Sequence, residues 1–76
     1  MIAIDTNVLV AAHRADHPHH RPADAALREL CVAAIPWALP WPCVHEFLGN
    51  VTHPRIWPVP TPVDDACEAI DRWRRL

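Results

Sequence analysis

Met1-Ile2-Ala3-Ile4-Asp5-Thr6-Asn7-Val8-Leu9-Val10 is the stretch on which the fold of this chain turns. Ile2-Ala3-Ile4 is a short apolar run with β-branched residues, the pattern of a buried strand. A lone carboxylate, Asp5, ends it, and Thr6 can cap a helix running to about Arg14. An aspartate between a buried strand and a helix lies at the carboxyl end of that strand. Open α/β sheets bind their ligands there.

Working outward, Asp16-His17-Pro18 marks a loop. Ala23, Leu27, Leu30, Cys31 and Ala34 then recur at helical spacing, which predicts an amphipathic helix from Arg21 to Ala34. Pro36 stops it, and Trp37-Ala38-Leu39, short and flanked by prolines, reads as a second buried strand. A third helix from about Pro42 places Trp41, Val44, Leu48 and Val51 on one stripe, with Phe47 beside it. Pro54, Pro58 and Pro60 make the segment from Thr52 to Pro60 a loop. The last helix has Thr61 as its cap, Pro62 at its first position, acids early and arginines late. Its apolar face is Val63, Ala66, Cys67, Ile70 and Trp73.

The resulting order is β-α-α-β-α-α, an α/β chain whose two strands pair in parallel across a crossover. Two short parallel strands make a poor sheet by themselves, since parallel sheets are normally larger and covered on both faces. Residues 1–76 are therefore expected to be the N-terminal portion of a single domain, with the C-terminal half missing or supplied by a partner.

Composition narrows the function. Three cysteines, Cys31, Cys43 and Cys67, are an odd number without a CxxC pair, which suits a reducing cytoplasm and excludes a disulfide scaffold. No apolar run approaches the ~20 residues of a spanning helix, so the chain is expected to be soluble, with no membrane partner. A formal net charge of -2 excludes a surface that coats nucleic acid generally. It leaves open a nuclease that relies on local arginines and metal ions.

Asp5 carries the sharpest chemical signal. A half-buried carboxylate needs a partner, and a divalent cation is a natural one; the alternative is that Asp5 caps the first helix. Glu46 points away from the apolar stripe of its helix, among Cys43, Gly49 and Asn50. It either belongs to a solvated face or meets Asp5 near the strand end. Two converging carboxylates would suit Mg²⁺ or Mn²⁺ rather than zinc. His13 and His17 have H-x₃-H spacing, but Pro18 breaks the helix beside them, so structural or exposed histidines are the better reading for this group and for Cys43-x-His45. Of the tryptophans, Trp41 and Trp73 fall on core stripes, which leaves Trp57 as the candidate for stacking on bases.

The stretch from Ile2 to Val10 resembles the opening of PIN-domain proteins, and Glu46-Phe47-Leu48 after Trp37-Ala38-Leu39-Pro40 resembles the segment with that family's second acidic residue. Val51-Thr52-His53-Pro54-Arg55-Ile56 is similar to the loop of VapC-type toxins of bacterial toxin–antitoxin pairs. The resemblance implies a partial PIN-like fold and a Mg²⁺- or Mn²⁺-dependent endoribonuclease, the toxin of a type II pair. Asp5 and Glu46 would be its metal-binding and catalytic residues, with Thr6 and Asn7 orienting them. It also implies an RNA substrate, a small cognate antitoxin and a homodimer. The family pattern includes further aspartates on later elements, and Asp64, Asp65 and Asp71 do not replace them, because their helix already explains them. Weak or absent activity follows. The alternative is a non-catalytic remnant that pairs with a full-length toxin subunit or an antitoxin.

Overall fold

A computed structural model describes residues 2–33 and 36–74. The elements are β1 (Ile2–Ala3), α1 (Thr6–His13), α2 (His20–Val32), β2 (Trp37–Ala38), α3 (Trp41–Val51) and α4 (Val63–Arg74). β1 and β2 pair in parallel with Ile2 opposite Trp37 and Ala3 opposite Ala38. The Ile2 amide donates to the Pro36 carbonyl and the Ile4 amide to the Ala38 carbonyl, each at 3.1 Å. Parallel pairing sends both strands out of the sheet by the same edge, so Asp5 and Pro40 leave it side by side.

Helix α1 is the hub, packing against α2 and α3, while α4 packs on α3. Leu9, Val10, Ala11 and Ala12 are all buried, which makes α1 nearly apolar all round, as a central helix must be. Val44, Phe47 and Val51 come in from α3, Leu27 from α2, and Ala66, Ala69 and Ile70 from α4.

Several expectations need correction. The first strand is exposed rather than buried, with Ile2 at 42% and only Ile4 inside, because a two-stranded sheet has no second layer over it. Asp5, not Thr6, caps α1: its Oδ1 accepts the Val8 amide at 3.1 Å. Helix α2 starts at His20, and its expected end at Ala34 lies outside the described residues. Thr61 does not serve as a simple cap, since its hydroxyl bonds His13 and Arg14. On α4, Val63 and Cys67 are exposed and Ala69 is buried instead.

The surface is larger than the mass warrants. Accessible area is 5200 Å², against about 4,700 Å² for a compact monomer of this mass. Part of that surface is an open groove of about 650 Å³ lined by Leu30, Trp37, Leu39, Val44, Ile70 and Trp73, among others. Among the described residues, no helix is long and apolar enough to cross a membrane.

Candidate active site

Asp5 is fixed by the job it does for α1. Its backbone is extended, its Oδ1 holds the Val8 amide, and its carbonyl accepts the Leu9 amide at 3.3 Å. Capping uses one carboxylate oxygen and leaves Oδ2 uncommitted among the hydrogen bonds observed. The capping and ligand readings of Asp5 therefore do not compete.

Because Asp5 takes the cap, Thr6 is released to act across the molecule. Its hydroxyl donates to Glu46 Oε2 at 3.0 Å, a bond between residues 40 apart in sequence. Glu46 projects from the exposed side of α3, opposite buried Phe47 and Val51. The parallel strands bring the start of α1 next to the start of α3, and the Thr6–Glu46 bond closes the gap. Thus Asp5, Thr6 and Glu46 gather at the carboxyl edge of the sheet, while Asn7 is exposed one residue further on. The cluster lies on the surface, outside the groove of about 650 Å³. Among the described residues, no group of three or more His, Cys, Asp or Glu is placed to hold a metal.

The histidines make structural bonds or lie exposed, as His19 and His45 do. His20 Nδ1 donates to the Ala11 carbonyl at 2.9 Å, and the ring nitrogens of His17 and His53 accept the amides of His19 and Arg55. His13 lies 3.0 Å from the Thr61 hydroxyl and presents an edge-on ring contact to Phe47. Burial pushes its pKa below the usual 6.5, and the positive charges of Arg14, Arg72 and His20 add to this, with only Asp65 opposing. A neutral Nε2 can accept the Thr61 proton. The unfolded chain thus takes up the proton first, and stability is full above pH 6.5 and declines as pH falls toward the folded pKa. We expect the melting temperature to fall between pH 7 and 5, and His13→Gln to flatten that slope. An unchanged slope in the variant would rule out His13 as its source.

The tryptophans exchange their expected roles. Trp57 is tied down: its Nε1 donates to Asn50 Oδ1 at 2.9 Å and the Arg14 guanidinium lies 4.4 Å above its ring. Trp41 is 68% exposed at the first turn of α3, with His45 beside it at 6.2 Å between rings. Helical periodicity put Trp41 on the core stripe with Val44, Leu48 and Val51, but it lines the open groove instead, and no described residue covers it. Arg14 is the other residue the sequence reading missed, although the Arg14-x-Asp16 spacing just after a helix was a usable signal.

Comparison with known proteins gives one consistent result. The chain is similar to Ribonuclease VapC25 of Mycobacterium tuberculosis, 42% identical over 66 residues, which is 87% of this chain and 46% of that protein. Ribonuclease VapC31 of the same species is 39% identical over 66 residues, with the same shares of 87% and 46%. VapC ribonuclease Mb2897 of Mycobacterium bovis is 38% identical over 71 residues, 93% of this chain and 48% of that protein. The chain spans about half the length of these curated relatives. No family model matches it.

Proposed function

For a chain that is a relative of the VapC-type ribonucleases, we propose a metal-dependent endoribonuclease site built on Asp5 and Glu46, in the toxin component of a bacterial type II toxin–antitoxin pair. The observation that carries this reading is the Thr6–Glu46 hydrogen bond at 3.0 Å, next to Asp5. It supports two carboxylates from distant parts of the sequence serving one ligand.

The donor set fits Mg²⁺ or Mn²⁺ in kind: hard oxygens, one on each carboxylate not used in the bonds observed, on an exposed rim where water completes the shell. Asp5 and Glu46 would hold the ion. When bound, it lowers the pKa of its water and neutralises charge on a phosphate. The chain's own part is positional. The Val8 amide fixes Asp5, and the Thr6 hydroxyl tethers the Glu46 carboxylate. Asn7 is the adjacent polar side chain that orients the rim. The substrate is RNA, the protein partners are a small antitoxin and a second copy of the chain, and the compartment is the cytoplasm.

Two carboxylates hold a cation loosely, and loose placement costs catalysis. Purified chain is therefore expected to cleave RNA slowly at best. A second reading, a non-catalytic remnant that binds a full-length toxin subunit or an antitoxin, draws on the uncovered groove of about 650 Å³.

Asp5→Asn is the informative variant. Asparagine caps helices as well as aspartate does, so the fold stays while the charge goes. Mn²⁺ affinity, followed by the loss of free-ion paramagnetic resonance signal, is expected to fall at least about tenfold with unchanged helical circular dichroism. Equal affinity in both proteins would refute the Asp5–Glu46 site.

A further inference from the structure

Thr61 is the one buried residue in the loop 52–62, and α1 holds it by its hydroxyl. The Arg14 guanidinium donates to Thr61 Oγ1 at 3.2 Å, and His13 Nε2 lies 3.0 Å from the same oxygen. We propose that the His13–Thr61 bond is an acid-sensitive latch, and that protonation of His13 releases the loop 52–62 from α1 while the helices stay packed. The latch sits at the opposite end of α1 from Asp5, so it stands apart from the ribonuclease reading.

Donor count fixes the direction of these bonds. Arginine carries only donors, and a threonine hydroxyl has a single proton to give. Arg14 donates to the Thr61 oxygen, and among the described residues His13 Nε2 is the acceptor within reach of the hydroxyl proton. His13 is therefore a neutral ring with its proton on Nδ1. Protonation turns Nε2 into a second donor. Two cations then face one buried hydroxyl, whose own proton has lost its acceptor, and that loss costs most where water is excluded.

The surroundings set the same preference. Burial, then Arg14 on α1, Arg72 on α4 and His20 on α2, disfavour a charged His13 ring, while Asp65 on α4 favours it. From α3 it meets the Phe47 ring, edge-on at 5.4 Å.

The loop is the part that gives way. Helix α1 is buried at the hub of the molecule, whereas residues 53–56, 58 and 59 are exposed. Ties from the loop to the helices include Arg14 on the Val59 carbonyl, the Trp57 indole on Asn50, and the Thr61 amide on the Val51 carbonyl at 2.7 Å. Segments with few buried contacts open at the lowest free energy. Asp16 does not titrate in this range, because its bond to Arg14 holds its carboxyl below the usual 3.8. His17 is the competing histidine, with its ring 6.1 Å from that of Trp57.

The test is hydrogen exchange followed by nuclear magnetic resonance on the 76-residue chain, comparing the Thr61 amide with that of Phe47. Thr61 protection is expected to lie at least about tenfold below that of Phe47, as local opening requires. Corrected for intrinsic rates, it should fall about tenfold more as pH drops from 6.5 through the His13 titration, the scale of one lost buried hydrogen bond. Nitrogen shifts of the His13 ring at neutral pH should show a protonated Nδ1 and a bare Nε2. His13→Gln keeps an acceptor but cannot titrate, so its Thr61 protection should not change with pH. His17→Gln should leave the fall in place. Thr61 protection equal to that of Phe47 at every pH would mean that only global unfolding frees the loop, and overturns the latch. A flat Thr61 profile, a protonated Nε2 at neutral pH, or a fall abolished by His17→Gln overturns it too. If His13→Gln does not fold, the wild-type tautomer and the wild-type Thr61 profile decide.

Discussion

Phe47→Ala is expected to leave the chain largely unfolded at room temperature. Phe47 is fully buried and is the largest such side chain in the molecule's described core. Its ring meets His13 of α1 at 5.4 Å and Trp73 of α4 at 5.3 Å, both edge-on, so one residue of α3 ties three helices together. Truncating a buried phenylalanine to alanine costs about 3–5 kcal/mol. Small domains hold only about 0.05–0.15 kcal/mol per residue in total, which puts a chain of this size near 4–11 kcal/mol. A two-stranded sheet and an uncovered groove place this one toward the bottom of that range. The loss therefore matches most of what is available. Circular dichroism melts would show the cooperative transition disappear, whereas Phe47→Leu should keep it. A Phe47→Ala melt within a few degrees of wild type would mean the three helices do not share this core.

Arg14→Met comes next. Arg14 is only 9% exposed, yet every part of its guanidinium is used. Nε and one terminal nitrogen grip both oxygens of Asp16, at 2.9 and 2.6 Å. The other nitrogen donates to the Val59 carbonyl at 2.8 Å and the Thr61 hydroxyl at 3.2 Å, and the plane lies over Trp57. One side chain at the end of α1 thus pins the proline-rich loop that leads to α4. Methionine keeps the packing stem but removes every donor. It leaves the Val59 carbonyl without this partner, at a cost of about 2–3 kcal/mol for lost charge-assisted bonds. Asp16 is mostly solvated, so its loss of a partner adds little; the arginine does hold its carboxyl below the usual 3.8, an effect lost only as pH falls below that value. The loop should open first. Limited trypsin digestion is expected to cut after exposed Arg55 many times faster in the variant, before the helices are attacked. Equal cleavage rates would show that Arg14 does not restrain the loop.

Much of the architecture was legible because it follows from short-range chemistry. Proline at 36, 40 and 60 and the Asp16-His17-Pro18 turn bound the helices, and the apolar spacing in α2 and α3 gave their inward faces. The misplaced elements share a cause. Ile2, Trp41 and Val63 were assigned to the core because they are apolar and in phase, yet burial depends on a facing neighbour, and none covers them among the described residues. Trp57 failed in the opposite sense. Its setting in a proline-rich loop suggested exposure, but a buried arginine and an asparagine on α3 close over it.

By itself, the sequence determined that a carboxylate stands between the first strand and the first helix, and that a second one lies on the outward face of the third. Local periodicity and backbone preference suffice for that. Only the tertiary structure decided which residue caps α1, and with it the use of Thr6. Once Asp5 takes the Val8 amide, the threonine hydroxyl is free to reach Glu46, 40 residues away. Whether two such groups meet is set by strand register and helix packing, which depend on the whole chain at once and on no segment read alone.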